Sequence, residues 1–242
     1  IDQPEDSDHG NDSDQPEDSD HGNDSDQTED FEHGDDSNQT DDSDVGEFIE
    51  DPLKDSEIES GDEPEYDEHI WLSLRNAQIL CTAIAGELME ADPDHALYYQ
   101  EHCVSYIEKL QDLDQRYQEL ISSAGIRTML FADRFPFLYL AKDYGLTYYA
   151  AFSGCSAETE ASFATLVFLI HRIDEEQLPC ILTTEDNDHR IAQTVISCTK
   201  NRNLEILELD SMQSVSIRDI EKGTTYLFIM ERNLEVLEKA FG

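Results

Sequence analysis

Positive charge is scarce in this chain. Its 242 residues hold 15 Lys and Arg against 57 Asp and Glu, for a formal net charge of −42. A chain this acidic repels phosphate, which excludes nucleic acid as a partner. Tryptophan occurs once, at Trp71. The five cysteines form no C-x-x-C, and an odd number leaves at least one without a partner in the chain. Cys81, Cys103, Cys180 and Cys198 fall in apolar periodic runs and read as core residues. There is no phosphate-binding glycine loop, no H-E-x-x-H, no G-x-S-x-G and no dinucleotide fingerprint, so the catalytic classes those motifs carry have no support here. Neither a signal peptide nor a membrane-spanning apolar run is visible. The chain opens on Ile1 inside a repeat, as a piece of a longer protein does.

What is abundant is acid, and it is unevenly placed. Residues 1–68 hold 30 of the 57 acidic residues and one basic residue, Lys54. They have little apolar surface to bury and strong self-repulsion, so disorder is expected there. The tract is a twelve-residue repeat. "DQPEDSDHGNDS" stands at 2–13 and again at 14–25, followed by "DQTEDFEHGDDS" at 26–37 and a decayed fourth copy at 38–49. Each of the first three copies carries one histidine: His9, His21 and His33. The pattern faintly resembles a calcium loop but lacks the glutamate at loop position twelve. Spaced carboxylates and imidazoles would still attract divalent cations weakly.

From Trp71 the pattern turns helical. Ala77, Leu80, Cys81, Ile84 and Leu88 share one helical face, and Ser73 stands where an N-cap belongs. Asp92 and Pro93 restart a helix, whose apolar stripe runs unbroken to Gly125. A single rod over 93–123 is expected, of a length that braces two lobes. After Gly125 short apolar runs at 128–132, 146–152, 180–184 and 204–209 alternate with helical patterns at 135–144, 162–177, 188–200 and 224–241. Such alternation predicts an α/β fold: a parallel-sheet C-terminal lobe plus a long backbone helix, preceded by the disordered acidic tract. Ligands of such sheets bind beyond the carboxyl ends of the strands. Those ends carry Asp133, the Ser153–Glu160 loop, Glu185–Asp188 and Asp210.

Each polar candidate has a plain alternative. His69, at the seam between acid tract and helix, is either a site residue or a surface histidine at a domain edge. Asp210 is a strand-end ligand or a turn former. The 185–190 cluster "EDNDHR" caps a helix or gathers a cation. Cys155 has no histidine placed by any motif to act as its base.

Four stretches, taken in order, resemble the metal-binding solute-binding proteins of ABC importers, the zinc and manganese cluster. "DEHIWLS" (67–73) is similar to the family's D-x-H-x-W-L-S, and "FPFLYLAKDYGL" (135–146) to its aromatic segment ending in Y-G-L. "AETEASFATLVFLI" (157–170) is similar to its E-x-E-P-S run. "LTTEDNDHRIAQTV" (182–195) with "LELDS" (207–211) is similar to its last two strands. The resemblance covers about residues 64–242. It implies that His69 and Asp210 ligate a divalent metal, Zn²⁺ above all and Mn²⁺ as the variant. The family's third ligand would fall at Arg134, which cannot bind a cation. Asp133 is the substitute expected next to it, and Glu160 the next candidate. The resemblance further implies an extracytoplasmic, membrane-anchored protein that hands metal to an ABC permease and makes or breaks no bond. Its domains would be the acidic tract 1–66 in place of the family's metal-collecting loop, the end of an N-terminal lobe with the linking helix at 67–125, and the C-terminal lobe at 126–242. The rival readings are a non-transport acidic interaction protein that binds a partner or Ca²⁺, and a small α/β enzyme using the strand-end carboxylates.

Overall fold

Ser73 starts the first helix, as its place before an apolar stripe predicts. Its hydroxyl accepts the Asn76 amide at 2.9 Å, and helix α1 runs Leu74–Ala91. A computed structural model describes residues 67–154 and 160–242. The acidic repeats and Cys155, with the expectations attached to them, lie outside the described residues.

The long rod is interrupted at its start. Pro93–His95 form a 3₁₀ turn, closed by the His95 amide on the Asp92 carbonyl, and α2 follows at Ala96–Ser123. Proline suits a first turn because its missing N–H needs no partner there. The 28 residues of α2 still make a rod of about 42 Å. The predicted apolar face of α1 is buried only in part. Ala77 and Ala85 are buried and Leu80 and Cys81 half-buried, but Ile84 and Leu88 are exposed. The reason lies in α2, against which α1 packs. Its second half is buried through Leu110, Leu113, Tyr117 and Ile121, while Leu97, Tyr98 and Val104 in its first half face outward.

Beyond Gly125 the alternation folds as predicted, into strands β1 (Thr128–Phe135), β2 (Thr147–Ser153), β3 (Cys180–Thr184) and β4 (Glu205–Leu209). They form one parallel sheet in the order β2-β1-β3-β4. Helices α3 (Leu138–Tyr144), α4 (Phe163–Glu176), α5 (Arg190–Cys198) and α7 (Tyr226–Phe241) join or follow the strands. A short helix, α6 (Ile217–Glu221), was not foreseen. It is a single capped turn set by Ser216 and Asp219, too short to show a period. Gly145 ends α3 with φ 66°, the left-handed conformation that suits a glycine C-cap.

Two cores flank the sheet. On one face Met129, Phe131 and Phe135 of β1 pack with α2, α3 and α7. On the other Leu130 and Ala132 pack with α4 and α5. The alternation of a strand explains the division. β1 carries a register irregularity between Phe131 and Arg134, at its carboxyl end. The strands' carboxyl ends therefore meet at one edge, beside the segment that contains His69.

Candidate metal centre

His69 begins a 3₁₀ turn, Ile70–Leu72, and is 5% exposed. The turn is pinned to distant parts of the chain. Trp71 Nε1 donates to the Ser211 carbonyl at 3.1 Å, and the Tyr226 hydroxyl donates to the Trp71 carbonyl at 2.8 Å. The Tyr139 hydroxyl donates to the carbonyl of Asp67 at 3.0 Å. The seam segment is thus held against β4's exit loop, α3 and α7.

The imidazole itself is fixed from both sides. Asp67 Oδ1 accepts the His69 backbone amide and lies 2.9 Å from ring Nδ1. A carboxylate only accepts, so Nδ1 carries a proton, and in the neutral ring Nε2 keeps its lone pair. This carboxylate–histidine arrangement is the one that presents Nε2 to a metal. Nε2 is met at 3.1 Å by the side-chain nitrogen of Gln213. Gly154, just after β2, lets the chain pass close by. A Cβ there would lie 2.9 Å from the Phe135 carbonyl, 3.1 Å from Asp67 Oδ2 and 3.5 Å from the His69 ring, so any side chain would collide with the assembly.

Asp210 follows β4 directly. Its Oδ1 accepts the Met212 amide at 2.8 Å, the turn-forming role that sequence alone allows. Asn233 of α7 brackets its backbone, accepting the Asp210 amide at 2.9 Å and donating to its carbonyl at 2.8 Å. Burial raises the Asp210 carboxyl above the ordinary aspartate range. Glu185 and Asp186 raise it further, against the Met212 amide and Arg232. A carboxylate in so acidic a place gains from a cation beside it. Glu185, at the end of β3, organises the loop after Asp210. Its carboxylate accepts the Ser211 amide at 2.7 Å, the Ser211 hydroxyl at 2.8 Å and the Gln213 amide at 3.1 Å. His69 and Asp210 are thereby joined through Gln213 and Glu185.

Asp133 and Glu160 lie elsewhere on the same edge. Both line a cavity of about 500 Å³ shared with Arg134 and Arg190. Asp133 is 4% exposed, and its Oδ2 takes the Thr184 amide at 3.2 Å and the Thr184 hydroxyl, tying β1 to β3. Glu160 is exposed. The His69 side of the edge has its own hollow of about 190 Å³, lined by Asp67, Phe135, Tyr148 and Gly154. Buried Phe152 borders both hollows. Among the described residues no three His, Cys, Asp or Glu side chains gather as a metal cage does. The 185–190 cluster divides its roles: Glu185 holds the loop after Asp210, and the N-cap of α5, His189, has no side-chain capping bond. Asn187 and Asp188 accept the amides of His189 and Arg190 at the start of α5.

Sequence reasoning missed the parts played by Asp67, Gly154, Glu185 and Gln213. Asp67 stands two residues before His69, a spacing that in hindsight carries the signal. Glu185 is marked by its place at a strand's carboxyl end, but the loop it holds lies 26 residues on; Gln213 is 144 residues from His69, and nothing local marks it.

The chain was compared with known proteins. The family profile of ZnuA, zinc-uptake complex component A, periplasmic, matches residues 5–240. The zinc-binding lipoprotein AdcA of Streptococcus pneumoniae is 32% identical over 181 residues, 75% of this chain and 35% of that protein. The high-affinity zinc uptake system protein ZnuA of Bacillus subtilis is 32% identical over 172 residues, 71% of this chain and 52% of that protein. The chain thus spans about a third to a half of the length of these relatives. Among solved structures, the Zn(II)-bound ZnuA-like domain of S. pneumoniae AdcA superposes with a TM-score of 0.59 at 31% identity, over 73% of this chain and 64% of that one.

Proposed function

The chain belongs to the family of zinc-uptake complex component A, and from that premise we propose that it captures a divalent metal, Zn²⁺ before Mn²⁺, outside the cytoplasm and delivers it to an ABC permease in the membrane. The observation that carries this reading is the state of His69: buried, with Nδ1 held by Asp67 and the Nε2 lone pair presented at the carboxyl edge of a parallel sheet. Imidazole nitrogen with carboxylate oxygen suits zinc, and added carboxylates bring manganese within range.

In this reading Asp210 is the second ligand, and ion binding relieves its crowding with Glu185 and Asp186. Asp133 is the third donor considered, with Glu160 behind it. For Asp133 to ligate, it would release Thr184. A closed zinc site wants four donors, so the set is completed from outside the described residues. Residues 126–242 serve as one lobe of the metal cleft, 67–125 as the end of the other lobe with the linking helix, and the acidic tract 1–66 as the segment that gathers cations. No bond is made or broken, so the chain is not an enzyme.

The test is zinc titration of the full chain against a competing chromogenic chelator. His69→Ala is expected to weaken binding at least tenfold, about 1.4 kcal/mol or more. Binding should also fade in acid, because imidazolium cannot ligate. An unchanged affinity in His69→Ala would make the histidine a bystander.

A further inference from the structure

We propose that Gln213 is a gate on the metal-binding histidine, its amide occupying the lone pair through which His69 would take the ion. The inference rests on the metal-capture reading and names the residue that regulates it. The ring has two nitrogens, and Asp67 accounts for one of them at 2.9 Å. The other, Nε2, accepts from Gln213 at 3.1 Å, with the amide hydrogen standing where a cation would stand. His69 is 5% exposed, whereas Gln213 is exposed. The glutamine therefore lies on the solvent side of a buried ring, across the path by which an ion reaches Nε2.

The gate is built to move without unfolding its surroundings. Its backbone is anchored, because the Gln213 amide donates to Glu185 at 3.1 Å and Ser211 just before it is held twice by the same carboxylate. Among the described residues its side chain is tied at the tip, through one hydrogen bond to a neutral ring nitrogen. Such a bond is weak enough for a metal to displace and strong enough to keep Nε2 protected in the metal-free protein. Rotation about the glutamine side chain carries the amide away and frees the lone pair. Removing the amide removes the competitor, so metal binding should tighten by about three- to tenfold, the worth of one such bond.

Two variants of the full chain test this: Gln213→Ala, and Gln213→Met, which keeps length but has no amide. In the metal-free protein the ¹⁵N resonance of His69 Nε2 should move toward that of an unbonded imidazole nitrogen in both. That shift reports the hydrogen bond itself, and the zinc affinity then separates a gate from a merely structural bond. Zn²⁺, titrated as its sulfate against the chelator, should bind both variants about three- to tenfold more tightly than the parent. The gain should vanish when His69→Ala is added. An unmoved Nε2 resonance, or an affinity equal to the parent's in both variants, overturns the gate. Weaker binding in both also overturns it, since the glutamine would then be a ligand. If His69→Ala alone leaves zinc affinity unchanged, the metal-capture reading falls and the gate with it. The gate fails alone if His69→Ala weakens binding and the glutamine variants do not tighten it.

Discussion

Single residues in this protein take their chemistry from a few close neighbours. His69 is an ordinary imidazole until Asp67 fixes its tautomer and Gly154 leaves space for the pair. The cysteines show the same dependence. Cys180 opens β3 inside the core as its apolar run predicts, but Cys198, read as core from the same signal, ends α5 at the surface, because it lies on the face of the helix turned from the sheet. Burial, with Glu205 adding to it, pushes the Cys180 thiol up to about 11. The thiolate is the reactive form, so Cys180 keeps its proton, and its inertness, until the pH rises toward that value. At pH 8 iodoacetamide should therefore label Cys198 in the folded chain and leave Cys180 unmodified, as read by peptide mass. Labelling of Cys180 as fast as Cys198 at pH 8 would contradict the burial described.

At the scale of elements, α7 does more than close the core. Its Asn233 is 1% exposed and completes the backbone of Asp210 in both directions. The amide thus does for the end of β4 what a neighbouring strand would otherwise do, satisfying one donor and one acceptor away from water. Asn233→Leu keeps the branching at Cγ, adds bulk at a buried site and leaves both groups unpaired. We expect a loss of about 2–3 kcal/mol in urea unfolding, together with weaker zinc binding, because Asp210 loses its fixed position. A variant as stable as the parent would mean that water replaces the side chain at no cost.

At the scale of the molecule, the α1–α2 hairpin is joined to the α/β lobe by buried side chains of α2. Tyr117 is fully buried, stacks on Tyr144 of α3 with ring centres 5.4 Å apart, and donates its hydroxyl to the Met230 carbonyl of α7 at 2.7 Å. One side chain therefore ties three helices, and burial holds its phenol well above the ordinary tyrosine range, so it remains a donor at any pH the fold survives. Tyr117→Phe keeps the stacking and deletes only the hydrogen bond. The expected cost is about 1–2 kcal/mol, visible as a lower urea midpoint with an unchanged slope. A larger loss with a smaller slope would mean that hairpin and lobe unfold separately.

The sequence by itself determined the main architecture from Ser73 onward, because each long element there writes its own local signal, whereas the five-residue α6 does not. The Ser73 cap precedes a helical stripe, and four apolar runs alternate with amphipathic helices. Periodicity and capping are properties of neighbours in the chain, so they are legible in one dimension. It also marked His69 and Asp210, because one sits at a seam and the other at a strand's carboxyl end. Tertiary structure alone decided how these residues are held. Gln213 reaches His69 across 144 positions, Tyr226 reaches Trp71 across 155, and Asn233 reaches Asp210 across 23. It also decided that Asp133 joins Glu160 and Arg134 around a different hollow from His69, since an irregular strand end and buried Phe152 set which side of the edge each residue serves. Ile84 and Leu88 carry the same apolar signal as Ala77, yet only the neighbours that packing brings can say which of them is covered.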